Sequence, residues 1–239
     1  MVAAIIQARL GSTRSPGKTM KLIGNKPLLE YSVDRAKQAR YIDKVIVATT
    51  TSNIDDLISE WCKEKGIDFL RGSEDDVLDR YFQTASNFKA DIIVRVTSDC
   101  PFVDPEVMDL LILTQKVLSA DYVSNRLKKR TWPHGLDIEV FTFDALEIAW
   151  KNGKEKRERE HVTPYIIEHP ELFKLIEVPL QEDLSHYRLT VDYPEDLEFT
   201  RIMVEKYDAN KMNWREIIDL LRKYPELVEI NASRIDSRL

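Results

Sequence analysis

Short apolar runs alternate along this chain with longer segments in which apolar residues recur every three or four positions. Residues 2–7 read as a buried strand, and Pro27-Leu28-Leu29-Glu30-Tyr31 opens a helix with proline at a tolerated first-turn position. Residues 44–49 form the second strand; a helix follows from about Asn53 to Lys65, where Gly66 ends it. Residues 67–70 make a short strand, 75–88 a helix and 91–96 a further strand, after which Asp104-Pro105-Glu106 starts a helix as cap plus first-turn proline. Strands rich in Val and Ile, each followed by an amphipathic helix, predict an α/β fold with a mostly parallel sheet covered on both faces.

The alternation breaks near residue 120. Residues 121–125 and 136–143 read as strands separated by the basic, Pro- and Gly-containing stretch 126–135. The charge run 151–160 reads as a solvated helix face. Residues 173–178 and 187–191 are strand candidates, 194–207 a helix, and 213–223 another helix before Pro225 and a polar tail. No internal repeat or long linker interrupts the chain. The expected organisation is one domain over 1–239, with an inserted substrate or dimerisation subdomain at about 125–185 and a C-terminal helical extension at about 208–239.

Composition narrows the partners. Its 239 residues suffice for one large domain, and a net charge of −6 argues against nonspecific nucleic-acid binding. No apolar run approaches a membrane span, and the start lacks the apolar stretch of a signal peptide. Cys62 and Cys100 offer neither a disulfide framework nor zinc spacing, which suits the cytoplasm. Cys100 has no companion histidine motif that would make it a nucleophile.

Against this acidic background the loop directly behind the first strand stands out. Gln7-Ala8-Arg9-Leu10-Gly11-Ser12-Thr13-Arg14-Ser15-Pro16-Gly17-Lys18 packs three cations, two glycines and three hydroxyls into one turn-prone segment. It can present backbone N–H groups and positive charge to a polyphosphate, such as a nucleoside triphosphate, although its spacing matches neither the P-loop nor the dinucleotide fingerprint. A solvated basic loop is the plain alternative. Ligands in open parallel sheets bind beyond the carboxyl ends of strands. Asp99, in Thr97-Ser98-Asp99-Cys100-Pro101, and Asp192, before Pro194, both sit at such ends. Each is a turn or cap residue by habit. Together with the cationic loop they are suited to holding Mg²⁺ for phosphoryl chemistry. Arg71-Gly72-Ser73 is able to face a nucleobase or merely to precede a capped helix. Asp137 and Glu139 share one strand face, and Arg159 and His161 lie in a charged segment; each suits a sugar or an ordinary surface.

The ordered set of segments 5–14, 16–18, 71–81, 95–101, 135–141, 159–165 and 184–198 resembles the SpsF-like cytidylyltransferases of spore-coat and surface-polysaccharide synthesis. These are related to the acylneuraminate and 3-deoxy-manno-octulosonate cytidylyltransferases. The resemblance covers nearly everything to about residue 205; Ser15 stands where that family usually has leucine. It implies a nucleotide-diphospho-sugar transferase-like three-layer sandwich, a triphosphate held by Arg9, Ser12, Arg14 and Lys18, and a base near Gly72 and Ser73. It also implies metal on Asp99 and Asp192, and a sugar pocket and homodimer contact in 125–165. The full candidate set is Arg14, Lys18, Asp99 and Asp192 for catalysis, with Asp99 and Asp192 on the metal. Gln7, Ala8, Arg9, Gly11, Ser12, Arg14, Lys18, Arg71, Gly72, Ser73 and Ser98 are the candidates for the nucleotide, and Asp137, Glu139, Arg159 and His161 for the sugar.

The expected reaction moves CMP from CTP to a sugar or sugar acid and releases pyrophosphate. The nearest rival acceptor is a sugar 1-phosphate, whose extra charge Arg126, Lys128, Lys129 and Arg130 would meet. A glycosyltransferase is disfavoured because Ser98-Asp99-Cys100-Pro101 contains no Asp-x-Asp motif. A non-catalytic nucleotide-binding module of a polysaccharide assembly is the alternative from a different class.

Overall fold

Continuous burial along β1 (Val2–Gln7) sets the architecture of the computed structural model, which describes residues 1–12 and 14–234. Thr13 of the basic loop and 235–239 of the expected C-terminal extension lie outside the described residues. Val2, Ala4 and Ile6 of β1 join one apolar cluster, and Ala3 and Ile5 join another on the opposite side. Two-sided burial is what a strand at the centre of a helix-covered sheet requires.

In chain order β1 is followed by a small antiparallel pair, β2 (Leu22–Ile23) and β3 (Lys26–Pro27), and then by β4 (Lys44–Thr50), β5 (Asp68–Gly72) and β6 (Ile92–Thr97). β7 (Tyr122–Ser124), β8 (Glu139–Thr142) and β9 (Leu175–Glu177) complete a seven-stranded sheet of order β5-β4-β1-β6-β8-β7-β9. β8 runs antiparallel to both its neighbours; the other pairings are parallel. Thus 139–142 and 175–177 extend the same sheet that begins at residue 2.

Helices α1 (Leu28–Gln38), α2 (Asp56–Lys65) and α4 (Pro105–Leu118) cover one face, through Leu29, Val33, Ile58, Trp61, Leu111 and Ile112. α3 (Val77–Phe88) covers the other with Leu78, Tyr81 and Ala85, joined by α5 (Phe143–Asn152), α6 (Lys156–His161) and α7 (Pro164–Glu168). α8 (Pro194–Tyr207), α9 (Trp214–Lys223) and α10 (Glu226–Glu229) follow; Phe199, Ile217, Ile218 and Leu227 return to the first face. Among the described residues no helix is long and apolar enough to cross a membrane.

Most expected boundaries agree within two residues, and the Asp104 carboxylate does accept from the Glu106 and Val107 amides. Three local expectations change. Helix α1 starts after Pro27, which belongs to β3. The charge run 151–160 contains the end of α5 and most of α6, and Glu158 within it is buried because its side chain caps the Lys154 and Glu155 amides. Residues 187–191 are not a sheet strand. They run extended with a single bridge, His134 to Arg188, and their amides go elsewhere: Leu189 donates to the His134 carbonyl at 2.7 Å and Val191 to the Asp99 carbonyl at 2.8 Å. Gly135 permits that approach. Its φ is +96°, and a Cβ there would lie 2.7 Å from the backbone of Leu189.

Candidate active site

The register of the sheet assembles the site. Gln7, the last residue of β1, is paired with Thr97, the last residue of β6, so the loops that follow both strands leave side by side. The 187–191 segment is fastened to the second loop by the Val191 bond and by the Thr190 hydroxyl, which donates to the Asp99 carbonyl at 3.2 Å. Asp192 is thereby delivered to Asp99, although 93 positions separate them in sequence.

Lys18 occupies the junction. Its Nζ donates to Asp99 Oδ2 at 2.9 Å, Asp192 Oδ1 at 2.9 Å and the Val191 carbonyl at 2.6 Å, three acceptors for the three ammonium protons. Burial opposes charge on Lys18, but the two carboxylates outweigh it and hold the ammonium above its ordinary pKa. The same contact keeps Asp99 ionised: burial pushes its carboxyl up, and Lys18 with the Thr97 hydroxyl brings it below the usual value. Arg14 reaches Asp192 Oδ1 at 2.9 Å from the solvent side, and Arg188 reaches Asp192 Oδ2 at 3.1 Å from the interior. The four residues singled out for catalysis therefore meet at one point.

A cleft of about 850 Å³ opens beside that junction, within the range of small-molecule sites. Of the sequence candidates, Gln7, Ala8, Arg9, Ser12, Arg14, Lys18, Ser98, Asp99, Arg159 and His161 line it. Asp192 joins through Lys18 and Arg14. The others take different places. Gly11 packs against Glu74, whose Oε1 would lie 3.0 Å from a Cβ there. Arg71 turns toward the Thr50 and Ser52 carbonyls and Asp56, and the Ser73 hydroxyl accepts from the Asp76 amide. Asp137 is gripped by Arg130 at 2.6 and 3.0 Å, and Glu139 accepts from Arg95, Tyr122 and Thr163. Neither Asp137 nor Glu139 belongs to the cleft lining. Arg159, at the cleft's far wall, is itself paired with Asp76 at 2.5 Å.

Two groups escaped the sequence reading. Arg80 lines the cleft yet is 1% exposed; its Nη1 donates to the Ser73 carbonyl, and its Nε has no partner. A guanidinium buried without a paired carboxylate is costly unless something else satisfies it. The available signal was Gly72, where a Cβ would sit 3.1 Å from the Arg80 Cγ. The second group is Arg188 with Asp196. Asp196 reads as a helix-dipole residue, but it is wholly buried, accepts from the Asp192 and Tyr193 amides and forms two bonds with Arg188.

The Asp99 and Asp192 carboxylates, each 2.9 Å from Lys18 Nζ, face one another across that ammonium and are oxygen donors of the kind Mg²⁺ uses together with phosphate oxygens. Among the described residues no cluster of three or more His, Cys, Asp or Glu gathers as a self-sufficient metal cage.

An α/β sheet with a cation-lined cleft over its carboxyl edge defines a small-molecule site of the phosphate-handling class. A family model described as Cytidylyltransferase matches residues 3–218, and the chain belongs to that family of nucleotidyltransferase enzymes. It is 35% identical to the spore coat polysaccharide biosynthesis protein SpsF of Bacillus subtilis, over 93% of this chain and 94% of that one. A 3-deoxy-manno-octulosonate cytidylyltransferase of Pelobacter propionicus is 34% identical over 46% of this chain and 43% of its own. Among solved structures, a cytidylyltransferase from Leptospira borgpetersenii superposes with a TM-score of 0.90 at 35% identity, covering 95% of this chain and 96% of that one.

Proposed function

We propose that this protein transfers CMP from CTP to a sugar acid and releases pyrophosphate, in the service of surface-polysaccharide synthesis. The observation that carries the proposal is the meeting of Lys18, Arg14, Asp99 and Asp192 at the mouth of one cleft. The relatives named above support the nucleotide and the acceptor class. Two buried, unpaired cysteines suit a reducing cytoplasm.

In the proposed reaction an acceptor hydroxyl oxygen attacks the α-phosphorus in line and gives up its proton to water. The new P–O bond forms as the bond to the β-phosphate breaks, and pyrophosphate leaves with the electron pair. Arg14 meets the triphosphate from the solvent side, and Lys18 exchanges its carboxylate partners for phosphate oxygens as the nucleotide enters, so that both stabilise charge developing on the leaving group while the walls of the cleft fix the acceptor. Asp99 and Asp192, released from Lys18, would hold Mg²⁺, which would supply further positive charge at the phosphate oxygens.

A sugar acid is favoured over a sugar 1-phosphate by where the basic stretch 126–130 goes. Arg126 and Arg130 are paired with Asp137 and Lys129 with Asp183, and none of these lines the cleft. The test is a pyrophosphate-release assay with CTP, UTP and ATP against sugar acids, including 3-deoxy-manno-octulosonate, and sugar 1-phosphates, with the product identified by mass. Release with CTP and a sugar acid, giving a CMP adduct, is the expected result. A CDP-sugar product, or no release with any pair, would overturn the proposal.

A further inference from the structure

The matched family region ends at residue 218, yet the chain continues through α10 into a stretch that returns to the back of the Asp192 turn. Asn231 is 2% exposed; its Nδ2 donates to Asp196 Oδ1 at 3.0 Å and to the Arg188 carbonyl at 3.2 Å. Asp196 in turn accepts from the Asp192 amide at 2.9 Å and the Tyr193 amide at 3.0 Å, and it binds Arg188 at 2.7 and 2.8 Å. Arg188 passes the contact on to Asp192 Oδ2 at 3.1 Å. Three residues on, Arg234 binds Glu195 at 2.8 Å and lies 4.6 Å above the Tyr193 ring. Arg14 and Arg188 flank that same ring, at 5.7 and 5.8 Å.

We propose that Asn231 and Arg234 are positioning residues for Asp192, so that 225–234 forms part of the working site. The inference rests on the proposed role of Asp192. Its physical basis is the closed chain of bonds Asn231–Asp196–Asp192. Asp196 and Asn231 are both shut away from water, so no solvent molecule takes over a lost bond. Removing the Asn231 amide leaves a small void under the turn and takes one of the two donors from Asp196 Oδ1, which Arg188 alone then holds. The Asp196 carboxylate keeps its bonds to the Asp192 and Tyr193 amides but is held less tightly beneath them, and the Asp192 carboxylate shifts with the turn relative to Lys18 and Asp99. Displacements of about 1 Å in such a site cost on the order of 100-fold in rate.

The test uses the full chain with Asn231→Ala, and Arg234→Ala as a second variant at a solvent-accessible side chain that leaves folding intact. Each is made alone and in an Asp192→Asn background. Two readouts are taken, kcat for pyrophosphate release and hydrogen exchange of the Asp192 and Tyr193 amides. The expected result is a 10- to 100-fold fall in kcat for Asn231→Ala (about 1.4–2.7 kcal/mol by the usual conversion), a smaller fall for Arg234→Ala and KM for CTP within about threefold of the parent. Exchange at the two amides accelerates, and in the Asp192→Asn background the further loss shrinks below about twofold. Equal losses in both backgrounds, or unchanged kcat and unchanged exchange, would overturn the inference. A parent enzyme that releases no pyrophosphate defeats the proposed function instead, and the exchange measurement still decides this one.

Discussion

Replacing Lys18 by methionine is expected to lower kcat for pyrophosphate release by about 100- to 1000-fold, the usual loss when one charge-stabilising contact is removed from a water-poor site. Methionine keeps much of the side chain's length and apolar packing while deleting the charge. The fold should survive at some cost in stability, because Asp192 retains Arg14 and Arg188 as partners while Asp99 loses the cation it is paired with. Arginine at the same position is expected to recover little. Three acceptors surround a single nitrogen at 2.6 to 2.9 Å, an arrangement that fits a tetrahedral ammonium and not a planar fork. Steady-state assays of Lys18→Met and Lys18→Arg, each with a thermal melt, check this. Activity within threefold of the parent in Lys18→Met would remove Lys18 from the reaction, and the same result in Lys18→Arg would contradict the requirement for a tetrahedral ammonium.

The second large effect is on stability. Arg95 on β6 and Glu139 on β8 are register partners in the sheet, and both side chains are under one-fifth exposed. Burial pushes the Glu139 carboxyl up, but Arg95, helped by Tyr122 and Thr163, holds it below the usual value. The stability this group contributes is therefore present above its unfolded pKa and is lost as pH falls through the folded one. Arg95→Met should destabilise the protein by about 3–5 kcal/mol, because it leaves a buried carboxylate without its cation, and should lower Tm by about 10 °C. With Arg95 gone, burial dominates and the sign reverses. The penalty should shrink as pH falls from neutral, because burial alone now favours the protonated Glu139 carboxyl. Adding Glu139→Gln to Arg95→Met should restore part of the loss at neutral pH. Denaturant melts of the two variants at neutral and lower pH measure each of these effects. An Arg95→Met penalty independent of pH would contradict the role given to Glu139.

Much of this molecule could be read from its residues alone, for identifiable reasons. β1, β4 and β6 are largely buried on both faces, so they appear as Val/Ile/Ala-rich runs, broken in β6 by Arg95, and α4 and α8 announce themselves with proline in the first turn. The loop cations and Asp99 were visible because a parallel sheet directs its carboxyl ends to one edge; Asp192 reads as the end of a strand that the sheet does not contain, and it reaches the same edge through the bonds of 187–191 to His134 and Asp99. What escaped depends on tertiary approach. Residues 187–191 look like a strand because they are apolar and extended, but their amides serve the carbonyls of His134 and Asp99. Arg80 sits among core positions of α3 and reads as an interruption of that pattern until Gly72 is seen to make room for it. Asp196 has the position of an ordinary first-turn acid, and only the return of Arg188 and Asn231 makes it an interior one.

One measurement bears most directly on the claim that a single cleft handles the nucleotide, namely the hydrogen-exchange footprint of CTP with Mg²⁺ on the intact protein. Protection should appear in 7–18, around Ser73–Arg80 and across Thr97–Asp99, the segments that converge on Lys18. The separate groove between 179–184 and Trp214–Arg222 should exchange as it does without nucleotide. Protection confined to that groove, with the Lys18 segments unchanged, would contradict the assignment.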